Sequence, residues 1–111
     1  DDWWKAIVET TNALLQIVSP ADIAGVALSG QMMGCLCIDK KGNPLSPHLL
    51  YCDQRSQEEE AFLYEKMDPL HFYEITGHRI SASYSIEKLM WIRKHMPEIF
   101  AKSYKMLNAK D

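Results

Sequence analysis

The stretch IAGVALSGQMMGCLCID, residues 23–39, decides how this chain is read. Two short apolar runs, residues 23–29 and 35–39, flank a Gly30-Gln31-Met32-Met33-Gly34 break. A continuous apolar run closed by a glycine reads as a strand buried on both faces, the kind that helices cover in α/β proteins. The second run reads as its hairpin partner. The break has two readings. Glycine-bounded interruptions are common turn devices, in which case Gln31 is a turn residue and Met32 and Met33 fill gaps in the core. Glycines also let backbone come close to a ligand, and Gln31 would then project its amide into a cleft.

Working outward, residues 2–18 carry apolar positions at helical spacing: Trp4, Ile7, Val8, Leu14, Leu15 and Val18. Ser19-Pro20 stops that helix, because proline cannot continue the hydrogen-bond ladder. After the second strand, Asp39 to Pro44 has the residue types of a turn. Residues 47–52 read as a short third strand or extended segment. Residues 53–67 turn helical in their later part. Glu58, Glu59 and Glu60 are expected on a solvated face near its N-terminus, where the helix dipole favours acids. Residues 68–77 read as a short helical turn capped by Gly77. Residues 84–95 form the last clear helix, with Ile86, Leu89, Met90 and Trp91 as its apolar side and Ser85 as its candidate N-cap. Pro97 opens a further short helix, and residues 105–110 read as a returning strand. Mixed strands and helices in this order predict an α/β layer architecture rather than a bundle.

Bulk properties narrow the function. The 111 residues are 47% hydrophobic and 24% charged, which is globular and not disordered composition. Net charge is −3 and no lysine- or arginine-rich stripe occurs, so nothing here has the electrostatic footprint of a nucleic-acid or anionic-membrane binder. No apolar run approaches the roughly 20 residues needed to cross a bilayer. Cys35, Cys37 and Cys52 are odd in number and lack zinc-type spacing, so they are expected as buried reduced thiols in a cytoplasmic protein. His48, His71, His78 and His95 have no histidine three or four residues away, and no metal cluster is expected. Asp53-Gln54-Arg55 lies between an extended segment and a helix, the place where open α/β sheets bind ligands. Asp53 and Arg55 there either fix hydroxyls through charge-assisted hydrogen bonds or serve as a helix N-cap and a surface cation.

At residues 83–95, SYSIEKLMWIRKH, the sequence resembles the first signature of the FGGY carbohydrate kinases. Ser83, Ser85, Lys88, Leu89, Trp91, Ile92, Lys94 and His95 fit that pattern. Residues 25–56, GVALSGQMMGCLCIDKKGNPLSPHLLYCDQRS, resemble the xylulokinase branch, whose pattern runs Ser-Gly-Gln-Met-His-Gly, Asp-x-x-Gly-x-Pro-Leu, Trp-x-Asp-x-Arg. The matches continue through YEITG and the PEIF segment in the same order, covering nearly the whole chain.

The resemblance implies an actin-like, ribonuclease-H-like domain, of which this chain is the middle and later part of the N-terminal, sugar-binding half. It implies that Gln31, Met32, Met33, Asp53 and Ser83 lie at a sugar substrate. It implies ATP and Mg2+ as cofactors of the parent protein, bound outside this chain together with the catalytic base and the Asp-x-Gly-Thr phosphate hairpin. On that reading the parent phosphorylates a pentulose or related sugar and the segment alone is inactive; the alternative is a non-catalytic sugar-binding or scaffold module of the same fold. Apolar surface left uncovered allows a homodimer. Two positions depart from the xylulokinase pattern: its histidine is Met33, a weak acceptor in place of a good hydrogen-bonding group, and its tryptophan is Tyr51.

Overall fold

The computed structural model describes residues 2–111. In chain order the elements are α1 (Asp2–Leu14), a 3-10 turn (Pro20–Asp22), β1 (Leu36–Ile38), α2 (Gln57–Lys66), α3 (Pro69–Thr76), α4 (Ser85–His95), α5 (Pro97–Lys102) and β2 (Lys105–Leu107). The mixed helix-and-strand architecture expected from the sequence is present. Local chemistry explains most boundaries. Asp68 accepts from the His71 amide at 2.9 Å, Pro69 opens α3, and Gly77 closes it at φ 76°, a conformation that costs a glycine nothing. Asp39 organises the following turn by accepting from the Lys41 and Asn43 amides at 2.7 and 2.9 Å. Arg93 and Lys94 place positive charge in the last turn of α4, where the dipole favours it.

The sheet differs from the expected hairpin. Residues 23–29 form no strand: they are exposed, with Val26 at 87% and Leu28 at 70%. An apolar run becomes a buried strand only when neighbouring strands satisfy its amides and carbonyls, and among the described residues none lies beside it. The pairing is instead between β1 and β2, antiparallel, with Leu36 opposite Leu107, Cys37 opposite Met106 and Ile38 opposite Lys105. The segment at 47–52 contributes a single bridge, Cys35 to Leu49, closed by amide-to-carbonyl bonds of 2.9 and 3.0 Å.

The interior is two small clusters. Cys35, Cys37, Leu49 and Ile92 form one, with Leu89, Trp91, Met96 and Met106 packed on it. Leu63, Phe72 and Ile80 form the other, with Met67 and Met90. α4 lies between them. Its fully buried face carries Glu87, Lys88 and Ile92, while Ile86 is exposed, so the apolar side drawn from periodicity is only partly the buried side. Glu59 is also buried rather than solvated, and Glu60 reaches the Ala82 amide at 2.5 Å. Cys52, in contrast to the other two thiols, is exposed.

α1 buries none of its stripe; Trp4 is 69% exposed. The accessible surface is 8270 Å2, where about 6,300 Å2 is normal for a folded protein of this mass. The radius of gyration is 17.8 Å against about 13 Å for a compact domain of this length. The apolar faces of α1 and of residues 23–29 therefore have no cover among the described residues. Among the described residues no helix is long and apolar enough to cross a membrane.

Candidate functional site

Three stretches of chain meet beside the N-terminus of α4: the Gly30–Gly34 break, residues 78–85, and the segment after β2. They frame two adjoining depressions. One is lined by Ser29, Gly30, Gln31, Met32, Asn108 and Lys110, the other by Met32, Met33, His78, Tyr84, Ser85 and Asn108. Met32 and Asn108 belong to both. Gln31 and Met32 are exposed, whereas Met33 and Ser83 are half-buried.

Met33 is the one residue other than glycine with a left-handed backbone among the described residues, at φ 62°. A side chain in that region is strained and persists only where its surroundings hold it. Two side chains of α4 do the holding. The Lys88 ammonium, with no exposed surface, donates to the Met33 carbonyl at 2.7 Å and to the Ser83 carbonyl. Ser85 Oγ donates to the Gly34 carbonyl at 2.7 Å and lies 3.4 Å from the Asn108 side chain. Ser85 thus heads the helix without capping it: Tyr84 occupies the N-cap position and the Ser85 hydroxyl is used across the site. Burial pulls the Lys88 ammonium below its ordinary range, and the nearby Asp53 carboxylate and Cys35 thiol oppose that pull.

Asp53 is half-buried and already occupied. Its carboxylate accepts from the Arg55 amide at 3.1 Å, from Arg55 Nε at 2.9 and 3.0 Å, and pairs with the guanidinium at 2.8 Å. Arg55 holds that carboxyl below the usual range, and its guanidinium lies 4.7 Å over the Trp91 ring. Asp53 is not a helix N-cap; Ser56 stands there for α2. Gln54 completes the link, donating to Ser83 Oγ at 2.6 Å. Met33 and Ser83 are therefore joined through Lys88, Asp53 sits next to that join, and Gln31 and Met32 face the neighbouring depression. Sequence spacing did not reveal the roles of Lys88, Gln54, Tyr84 or Asn108. The Ser85 and Lys88 spacing of three residues on one helix was the available signal.

The break's second glycine has a different use from the one expected. A Cβ at Gly34 would sit 2.2 Å from His48 Nε2, so the space is taken by this chain's own imidazole. Away from the break, Glu58, Glu59 and His95 bring one ligand-type atom each within 4.8 Å of one another. Lys94 Nζ lies 2.5 Å from Glu58, and Arg93 lines the same depression, so two cations already face these carboxylates.

Residues 1–111 match the N-terminal domain of the FGGY family of carbohydrate kinases. The chain belongs to that family. Curated relatives include the xylulose kinase of Staphylococcus xylosus, 28% identical over 98% of this chain and 23% of its own length. The xylulose kinase of Bacillus subtilis is 31% identical over the whole chain and 22% of its length. Among solved structures, a "xyloylose kinase" from Brucella ovis superposes with a TM-score of 0.86 at 34% identity, covering 98% of this chain and 23% of that one. This FGGY chain thus spans under a quarter of the length of these relatives. The actin-like, ribonuclease-H-like architecture follows from that membership.

Proposed function

We propose that this chain is the sugar-facing segment of an ATP-dependent carbohydrate kinase whose substrate is a pentulose or a related sugar. The observation that carries the reading is the joining of the Met33 and Ser83 carbonyls by Lys88 in a chain that matches the FGGY N-terminal domain throughout. The depressions offer what a polyhydroxylated ligand needs. Gln31, Ser29, Ser85 and Asn108 supply polar groups, and Met32, Met33 and the Tyr84 ring supply an apolar surface for the sugar's C–H face. Gln31, Met32, Met33, Asp53 and Ser83 are the sugar-side residues in this proposal, with Asp53 acting through the Arg55 pair.

Phosphoryl transfer rests on positioning and on neutralising phosphate charge. The base, the Mg2+ and the ATP site belong to the remainder of the parent protein, which works in the cytoplasm and covers the bare faces of α1 and residues 23–29. Deprived of that cover, the isolated segment pairs with a second copy as a homodimer.

Incubation of the full-length protein with ATP, Mg2+ and a sugar panel, followed by ADP release, tests the reading. Turnover on a pentulose supports it; sugar-dependent thermal stabilisation without turnover favours a binding module; neither response to any sugar refutes it. Met33→His in the full-length protein moves preference toward xylulose, and an unchanged specificity profile overturns the role given to Met33.

A further inference from the structure

The break and the Ser83 loop are far apart in sequence, and no backbone hydrogen bond joins them among the described residues. What spans the gap is side chain: Lys88 Nζ to the Met33 and Ser83 carbonyls, and Ser85 Oγ to the Gly34 carbonyl. A buried ammonium is a costly strut. Methionine would fill much of the same volume without desolvating a charge, and apolar replacements of buried ions are often neutral or stabilising. The Lys88 side chain is nonetheless fully buried, and it ends on two carbonyls from the two stretches that carry Met33 and Ser83. One of those carbonyls belongs to the strained left-handed residue.

We propose that Lys88 is a positioning residue for the sugar: by gripping the Met33 and Ser83 carbonyls together it sets the separation of the two sugar-facing stretches and holds the Met33 backbone in its left-handed conformation. The ammonium does not touch the ligand. Its effect is preorganisation, so its loss weakens sugar recognition and leaves ATP recognition alone. Ser85 supports the same edge one residue further on. This inference rests on the sugar-kinase reading, and the experiment separates the two.

The test uses the full-length protein as wild type, Lys88→Met, Lys88→Arg and Ser85→Ala, with steady-state kinetics for both substrates and hydrogen–deuterium exchange without ligand. In Lys88→Met the KM for sugar rises about tenfold or more while the KM for ATP stays within about twofold. Amides at residues 31–35 exchange faster, and those at residues 89–95 keep their protection. Lys88→Arg, which still donates to two carbonyls, recovers part of the sugar affinity. Sugar kinetics and local exchange both unchanged in Lys88→Met overturn the proposal, and so does a sugar defect with unchanged exchange or an equal rise in both KM values. If Lys88→Met does not fold, Ser85→Ala and Lys88→Arg decide by the same readouts, since Ser85→Ala frees one carbonyl rather than two and Lys88→Arg keeps a donor for both. A wild type that turns over no sugar sinks the kinase reading, and the exchange of residues 31–35 then decides by itself whether Lys88 holds the break.

Discussion

Replacing Gly34 by alanine isolates the fit between the break and the imidazole behind it. The added Cβ would lie 2.2 Å from His48 Nε2, 2.3 Å from Cε1 and 3.3 Å from the Leu49 carbonyl oxygen. Heavy atoms rest at about 3.5 Å or more, so the ring must retreat by more than about 1 Å. The Trp3 ring, nearly perpendicular with its centroid 5.0 Å away, limits that retreat on one side. The backbone cannot yield either, being fixed by the Cys35–Leu49 bridge and by the Ser85 bond to Gly34. Gly34 is not left-handed, so alanine carries no backbone penalty and the cost is overpacking, about 1–3 kcal/mol. His48 offers a clean control, since both its ring nitrogens are buried without hydrogen-bond partners and removing the ring breaks no such bond. A double-mutant cycle of Gly34→Ala and His48→Ala, read from unfolding midpoints of the full-length protein, should show the alanine penalty nearly abolished once the imidazole is gone. An equal cost of Gly34→Ala in both backgrounds would refute the steric account.

The thiols should separate by reactivity: exposed Cys52 labels readily in the native protein, while Cys35 and Cys37, fully buried, label only on unfolding. Burial together with the Cys37 thiol pushes Cys35 up to about 12, so thiolate is suppressed as well as hidden; native-state labelling of Cys35 at the Cys52 rate contradicts this. Glu87 is fully buried, with one oxygen accepting from the Ser81 amide at 3.0 Å and the other unpartnered. Burial raises its carboxyl above the ordinary 4.5, so folding favours the protonated form. Its contribution is complete below about pH 4.5 and is lost as pH rises through the raised value. Glu87→Gln should flatten that decline in melting temperature measured from pH 4 to 8, and parallel curves for the two proteins would count against it.

Elements fixed by short-range chemistry were legible in the sequence. The Asp68-Pro69 start and Gly77 end of α3, the Asp39 turn, and the end of α4 ahead of Pro97 all follow from caps and breakers that act within a few residues. Elements that depend on distant partners were not. Residues 23–29 have the apolar content of a buried strand, but a strand is defined by its neighbours, and the β1 partner proved to be β2 across the whole helical stretch. Periodicity assigns polar side chains to the outside, so it missed Glu59, Glu87 and Lys88, whose burial depends on backbone groups brought in from elsewhere. The same limit applied at the site. A resemblance in pattern singled out Gln31 to Met33 and Ser83 as candidates, whereas Lys88 became visible only as a donor to the Met33 and Ser83 carbonyls.

The β1–β2 pairing also sets a clock. Leu36 and Leu107 are about 70 residues apart, and chains are synthesised at about 5–20 residues per second. β1 therefore waits about 4–14 s on the ribosome for its partner. α4, whose Lys88 and Ser85 hold the break, is synthesised late in the same interval. Until then the break lacks its Lys88 and Ser85 bonds, and the Cys35 and Cys37 thiols lack the cover of Ile92 and Met106. The Gly30–Gly34 break is thus among the last parts of the molecule to be locked in a newborn chain.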